Sequence, residues 1–103
     1  MVLFTKAIMK KLKRRPLYST DGQGMRAEVV VKIFNPYGNG TWLITEGEQQ
    51  ENGDWLLYGY CHIQEWEWGY VLKSELENMR IGPYGLRLER EKYDKGTVEK
   101  LCR

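Results

Sequence analysis

The amino-acid sequence predicts an α+β fold built on one antiparallel sheet of four to five strands. An N-terminal helix and a short helix after the fourth strand are expected to pack on one face of this sheet. All four tryptophans lie between Gly40 and Lys73, so most of the apolar area available for burial is concentrated in that stretch. Short β-branched or alternating segments follow one another from residue 28 to residue 72, and helical periodicity is found before and after them.

The first helix is predicted from Lys6 to Arg14. Thr5 is the expected N-cap residue, and Pro16 ends the helix because proline cannot continue the hydrogen-bond ladder. Apolar residues recur at three- and four-residue spacing and form one stripe: Phe4, Ile8, Met9 and Leu12. The remaining faces are rich in lysine and arginine.

Five strands are predicted from β propensity and alternation, at residues 28–34, 41–46, 54–63, 66–72 and 86–91. In the third strand, Leu56, Tyr58, Tyr60 and His62 share one face, which we expect to be half exposed. The other face of that strand is expected to pack under the helices. Gly59, in the middle of the same strand, indicates a bulge or a close approach by another chain segment.

The end of the sheet is predicted to lead directly into the second helix. Ser74 is read as its cap in a capping box with Glu77, and the helix should reach about Met79. The fifth strand is expected at an edge of the sheet, and a last helical turn is predicted from Thr97 to Leu101.

Length and composition indicate a single globular domain over residues 1–103. A chain of 103 residues supports one hydrophobic core, and 42% hydrophobic with 29% charged residues argues against disorder. We expect no membrane association, because no apolar stretch is long enough to cross a bilayer and the N-terminal charges are in the wrong order for a secretory signal. Cys61 and Cys102 form no redox motif, so a cytoplasmic protein with free thiols is predicted.

Charge is strongly segregated along the chain despite a formal net charge of +2. Residues 1–32 carry a net +6, residues 33–79 carry −7, and residues 80–103 carry +3. If the middle third folds as one sheet, the molecule should have an acidic face and basic ends.

Several motifs in chain order resemble an uncharacterised bacterial family of short proteins. That family is a domain of unknown function encoded on plasmids, phages and other mobile elements, and the resemblance spans about Thr5 to Tyr93. It implies a mobile-element setting and supplies no functional residue. The sequence departs from the family pattern at Tyr84, Arg87 and Glu91. The segments that carry the resemblance are LYST (17–20), VKIFNP (31–36), TWLITE (41–46), YGY (58–60), WGYV (68–71), SEL (74–76), GPYGL (82–86) and ER (89–90).

No catalytic or metal-binding constellation is predicted. Cys61 and His62 are adjacent on a strand, so their side chains point to opposite faces and cannot easily form a nucleophilic pair. These two residues and Cys102 supply too few nitrogen and sulfur ligands for a zinc site. We therefore expect no enzyme activity, no metal and no cofactor.

The favoured function is that of a non-enzymatic accessory protein of a mobile element that binds another protein. One hypothesis is an inhibitor of a host nucleic-acid-targeting defence system, anti-CRISPR-like or anti-restriction-like, whose acidic face imitates a phosphate backbone. The acidic side chains are expected to cluster at one end of the sheet, with two tryptophans at the interface. The predicted protein-binding residues are Glu46, Glu48, Glu51, Asp54, Glu65, Trp66, Glu67 and Trp68.

Two alternatives remain open at this point. The first is a small nucleic-acid-binding module that uses the basic N-terminal helix through Lys10, Lys11, Lys13, Arg14 and Arg15. The second and weaker is a hydrolase that uses Glu65 or Glu67. The expected partner is a protein of the class of nucleic-acid-processing enzymes, and the sequence does not identify it further. Exposed edge strands leave both a monomer and a homodimer open.

Overall fold

The computed structural model describes residues 1–102. Its helices are α1 (Lys6–Lys13), α2 (Lys73–Asn78) and α3 (Val98–Leu101), with a short 3₁₀ helix at Gly24–Arg26. Its strands are β1 (Val31–Phe34), β2 (Thr41–Gln49), β3 (Trp55–His62), β4 (Trp66–Leu72) and β5 (Glu89–Arg90).

The strands form one antiparallel sheet in the order β4-β3-β2-β1-β5, which confirms the predicted α+β fold. The fifth strand is at an edge, as predicted, and β4 is the other edge. Three strands differ from their predicted bounds by three residues at one end: β1 starts at Val31 rather than residue 28, β2 continues to Gln49 rather than residue 46, and β5 starts at Glu89 rather than residue 86. Within residues 1–102, no helix is both long enough and apolar enough to cross a membrane.

One face of the sheet is covered by both α1 and α2, as predicted. Leu12 of α1 and Leu76 of α2 are buried in the same apolar cluster as side chains from β1, β2 and β3. We call this the covered face. Its buried strand residues are Val31, Ile33, Trp42, Ile44, Trp55 and Leu57.

The N-terminal caps of α1 and α2 can be compared with the caps predicted from the sequence. The backbone N–H of Ile8 donates to Oγ1 of Thr5 at 3.2 Å, so Thr5 caps α1 as predicted. The capping box assigned to Ser74 was wrong, because α2 begins one residue before it. The backbone N–H of Leu72 instead donates to the carboxylate of Glu75 at 2.9 Å.

The opposite face is covered over only part of its area. A second, smaller cluster lies there, where the 3₁₀ helix and α3 pack on β2. Leu43 is the strand residue at its centre, and Tyr60, Trp66 and Trp68 pack against its side. The part of this face that belongs to β3 and β4 extends beyond that cover.

Candidate functional site

Six rings on β3 and β4 form a continuous zigzag on the sheet face opposite to α1 and α2. Cross-strand pairing places Tyr58, Tyr60 and His62 opposite Tyr70, Trp68 and Trp66. Neighbouring ring centroids are 4.9–5.6 Å apart, which is the range of favourable aromatic contacts. We call these six residues the aromatic row.

The aromatic row remains partly open to solvent. Five of its members are half-buried, and Tyr70 is 53% exposed. The one cation–π contact found in residues 1–102 joins Lys73 to Phe4, so no lysine or arginine of the described chain covers these rings. A half-exposed tyrosine face was predicted, and the structure confirms it.

A β-bulge determines that Glu46 lies on the same face as the aromatic row. The register between β2 and β3 shifts between Ile44, which pairs with Gly59, and Glu46, which pairs with Tyr58. Strict alternation from Ile44 would place Glu46 on the covered face. The extra residue, Thr45, reverses that alternation. Glycine is needed at position 59 because a Cβ there would lie 2.0 Å from the carbonyl oxygen of Leu43. The bulge or close approach predicted from Gly59 is therefore confirmed.

The carboxylate of Glu46 is buried and held by the loop that follows α1. Its two oxygens accept hydrogen bonds from the backbone N–H groups of Tyr18 and Thr20, both at 2.8 Å, and from the hydroxyl of Thr20. Tyr18 has a φ of 73°, a conformation that non-glycine residues seldom adopt. The loop thus takes a strained backbone shape at the point where it binds Glu46.

The same loop joins the end of the aromatic row. A hydrogen bond with Tyr18 raises the pKa of the Tyr70 phenol, with a further contribution from the nearby charge of Glu46. Tyr18 itself is 66% exposed, so it extends the aromatic surface toward solvent.

A pocket of about 300 Å³ lies between this loop and the aromatic row. Rings of Tyr58 and Trp68 line one part of it, and Glu46 and Asp21 contribute two carboxylates. Burial raises the pKa of Tyr58, and the negative charges of Glu46 and Asp21 raise it further. We call this site the Glu46 pocket; its remaining lining residues are Thr20, Gly22 and Gly24.

The six predicted acidic residues do not lie at one end of the sheet, so that expectation was wrong. The β2–β3 turn, which carries Glu51, and the β3–β4 turn, which carries Glu65, are at opposite ends of β3 because consecutive hairpins alternate. Glu46 is only 2% exposed and is not part of an exposed acidic surface.

The remaining acidic residues also divide by face. Glu67 pairs with Cys61 and therefore points to the covered side, away from Trp66 and Trp68. Asp54 accepts hydrogen bonds from the hydroxyl of Ser74 at 2.5 Å and from its backbone N–H at 3.2 Å. These bonds, the Ser74 hydroxyl first, lower the pKa of Asp54 and attach α2 to the start of β3.

Three of the predicted acidic residues do border the aromatic row. Glu46 faces Tyr58, exposed Glu48 faces Leu56 on the same side, and Glu65 lies in the turn beside Trp66. Glu48 and Glu65 therefore supply the exposed carboxylates on the side of Trp66 and Trp68, and the carboxylate of Glu46 is buried at the border of the row. Glu51, Asp54 and Glu67 lie elsewhere.

The basic residues that were predicted to bind nucleic acid fall into two groups: some form ion pairs with Glu28, and the others form none. Glu28 contacts Nζ of Lys11 at 2.5 Å and Nη2 of Arg15 at 3.4 Å. The hydrogen bond with Lys11 is the main cause of a lowered pKa at Glu28. Lys10, Lys13 and Arg14 are exposed and take part in no ion pair among residues 1–102.

Cys61 and His62 point to opposite faces, as alternation predicts. Cys61 packs against the covered cluster, where burial first and then the charge of Glu67 raise its pKa to about 12. The ring of His62 packs on Trp66 at 5.2 Å between centroids. Among residues 1–102, no group of three or more histidine, cysteine or acidic residues is arranged to hold a metal ion.

Sequence reasoning missed the loop residues Tyr18, Thr20 and Asp21. The turn chemistry of Asp21-Gly22 marked a loop but did not indicate that its backbone binds a carboxylate 26 positions further along the chain.

Comparison with known proteins supports the family resemblance. The sequence model of a family described as "Protein of unknown function (DUF2958)" matches residues 3–100. Searches of curated proteins and of solved structures found no match.

Proposed function

The chain belongs to the DUF2958 family of proteins of unknown function, and we propose that it acts by binding another protein rather than by catalysing a reaction. The contact surface in this proposal is the aromatic row together with the carboxylates that border it. One observation carries the proposal: six rings in mutual contact lie on a sheet face that the described helices leave partly uncovered. Aromatic clusters of this kind are typical of the energetically dominant part of protein interfaces.

The charge around the row defines the chemistry of the partner. Asp21, Glu46, Glu48 and Glu65 border the rings, and no cation of residues 1–102 stacks on them. A partner with a basic surface is complementary to this arrangement. A phosphate backbone is not, because the same carboxylates repel it.

A basic partner surface agrees with the setting that the family resemblance implied. Proteins that process nucleic acids carry basic grooves for the phosphate backbone. In the proposal, the protein is encoded on a mobile element and inhibits such a host enzyme, for example one of a nucleic-acid-targeting defence system. The inhibitory contact is made by the aromatic row and its bordering carboxylates instead of the single acidic face expected from the sequence.

One matched pair of double charge-reversal variants tests which acidic residues are needed for partner binding. Glu48→Lys/Glu65→Lys changes carboxylates beside the aromatic row, and Glu51→Lys/Glu67→Lys makes the same change of charge elsewhere. Tagged wild-type and variant proteins are used to recover partners from nuclease-treated bacterial lysate, with circular dichroism as the check on folding. We expect the first variant to lose the recovered protein and the second to keep it.

A second matched pair tests the rings. Trp68→Ala/Tyr70→Ala removes part of the aromatic row, whereas Tyr84→Ala/Tyr93→Ala removes two tyrosines that are each 88% exposed and lie outside it. Loss of the partner in the first variant alone supports the proposal. Equal recovery by all variants would refute it.

Two further measurements separate the other possible occupants. Fluorescence anisotropy with single- and double-stranded oligonucleotides, repeated after Lys10→Glu/Lys13→Glu, tests the basic-helix alternative. Light scattering over a range of protein concentrations tests whether a second copy covers the row. Oligonucleotide binding that depends on the α1 cations would support the basic-helix alternative. A dimer abolished by Trp68→Ala/Tyr70→Ala would contradict binding of a basic protein partner as the role of the aromatic row.

A further inference from the structure

The Glu46 pocket carries negative charge that the described chain does not compensate. Glu46 is almost fully buried, yet all three of its hydrogen bonds come from neutral groups, two backbone N–H groups and one hydroxyl. None of the ion pairs within residues 1–102 includes Glu46 or Asp21. Buried carboxylates are normally accompanied by a cation, because burial without one is costly.

No lysine or arginine of residues 1–102 lines the Glu46 pocket. Arg14, Arg15 and Arg26 line a separate pocket that shares Thr20 with it. One of them, Arg15, already contacts Glu28. The Glu46 pocket therefore has a place for a positive charge that comes from outside the chain.

The walls of the pocket favour a planar cation. The rings of Tyr58 and Trp68 stack at 5.6 Å with an angle of 15° between their planes and form an aromatic wall. A guanidinium group can lie flat on an aromatic face and donate two parallel hydrogen bonds to a carboxylate. The ammonium group of lysine has no such planar fork. A volume of about 300 Å³ is at the small end of ligand pockets and fits one side chain better than a large cofactor.

We infer that the Glu46 pocket is a binding site for an arginine side chain supplied by the protein partner. This inference rests on the proposed function and identifies the group that the partner inserts. Asp21, which is exposed at the rim, accepts hydrogen bonds from the guanidinium group. Glu46 acts through its charge, since its oxygens are already hydrogen-bonded by Tyr18 and Thr20. Tyr58 and Trp68 supply the stacking surface.

An NMR titration of the ¹⁵N-labelled full chain tests the site directly. The probe is N-acetyl-arginine methylamide, and its control is the citrulline analogue, which has the same shape with an uncharged urea group. We expect the arginine probe to shift the indole N–H signal of Trp68 and the amide signals of Gly22 and Gly24, with saturation in the millimolar range. The citrulline analogue should produce no saturable shift.

Asp21→Asn and its control, Glu51→Gln, make the titration decisive. Glu46→Gln removes the buried charge but also disturbs the loop that binds it, so it does not suffice alone. Asp21→Asn removes an exposed charge from the pocket rim and should weaken the arginine probe about two- to fivefold. Glu51→Gln, an exposed carboxylate in the β2–β3 turn, is the control and should leave the affinity unchanged. No shift at these signals, equal binding of both probes, or equal effects of the two variants would overturn the inference.

The outcome is distinguishable from that of the proposed function. If the arginine probe fails to bind but Trp68→Ala/Tyr70→Ala still abolishes partner capture, the pocket inference fails and the protein-binding role stands. If the probe binds as expected but the partner is captured equally by every variant, the pocket is real and the proposed function is wrong.

Discussion

The two sides of the β3–β4 hairpin differ in both chemistry and cover. On the covered face, Leu57 is fully buried beneath α1 and α2 in the larger hydrophobic cluster, which also contains Trp42 and Trp55. On the other face, Tyr58 and Trp68 stack on each other, Trp68 also packs against the side of the smaller cluster, and the row ends at the exposed Tyr70. The comparison teaches that the side covered by α1 and α2 supplies the larger part of the hydrophobic core. The aromatic side is stabilised by ring contacts and by packing on the smaller cluster, and it stays partly exposed.

The largest expected effect comes from disrupting the β-bulge between β2 and β3 at Gly59. A Cβ on Gly59 would lie 2.0 Å from the carbonyl oxygen of Leu43, and backbone atoms cannot move aside cheaply. We expect Gly59→Ala to lower the free energy of unfolding by on the order of 4 kcal/mol or to prevent folding. Urea denaturation followed by tryptophan fluorescence measures this change.

The control for Gly59 is its own cross-strand partner. Gly69 pairs with Gly59, and a Cβ there would meet nothing within 4 Å. Gly69→Ala should change stability by less than about 0.5 kcal/mol. A similar loss in both variants would show that the hairpin is generally intolerant of alanine and that the bulge has no special role.

The next prediction compares one residue from each face. Leu57→Ala should cost about 2–5 kcal/mol, because it leaves a cavity at a site with no exposed area. Trp68→Ala removes a larger side chain but should cost only about 1–2 kcal/mol, since it loses cross-strand ring contacts on a half-open surface. If Trp68→Ala is the more destabilising of the two in chemical denaturation, the aromatic row is part of the core and its availability to a partner is disproved.

A smaller effect is expected from the contact that attaches α2 to the covered face. The hydroxyl of Ser74, followed by backbone N–H groups, lowers the pKa of Asp54 below 3.8. Since the folded-state pKa is the lower one, the stabilisation is fully present above the unfolded value and is lost as pH falls through the folded value. Ser74→Ala should therefore destabilise the protein at pH 7 and approach wild-type stability in strong acid. Thermal melts at several pH values test this, and a difference that is constant with pH would contradict it.

The smallest expected effect concerns Cys61 on the covered face. Its labelling rate measures how well that face is protected without destabilising the protein. In a Cys102→Ser variant, Cys61 is the remaining thiol, and its pKa of about 12 leaves very little reactive thiolate at pH 8. A maleimide reagent should label it ~1,000-fold more slowly than a thiol with a pKa of 9.0. Because the folded pKa is raised, the related stabilisation is present below pH 9 and declines as pH rises toward 12. Rapid labelling of the native protein would mean that the covered face opens readily.

Sequence patterns predicted those features of the site that depend on near neighbours. The shared face of Tyr58, Tyr60 and His62 followed from the two-residue period of a strand, and the face of Trp66 and Trp68 followed in the same way. Even the irregularity at Gly59 was foreseen, because glycine within a strand marks a bulge. The error at Ser74 was a shift by two residues, since the N-cap is Leu72 rather than Ser74 and Glu75 rather than Glu77 binds the helix start.

By itself, the sequence determined the helix and strand order, the faces of β3 and β4 and the segregation of charge, because each is set by spacing along the chain. Tertiary structure alone decided where Glu46 lies and what binds it. Its face depends on a register shift against β3, and its hydrogen bonds come from Tyr18 and Thr20, which are distant in sequence. It also separated Glu51 from Glu65, because the direction of pairing sends successive turns to opposite ends of the sheet. Such relations exist only between strands and loops that have already come together, so no local pattern encodes them.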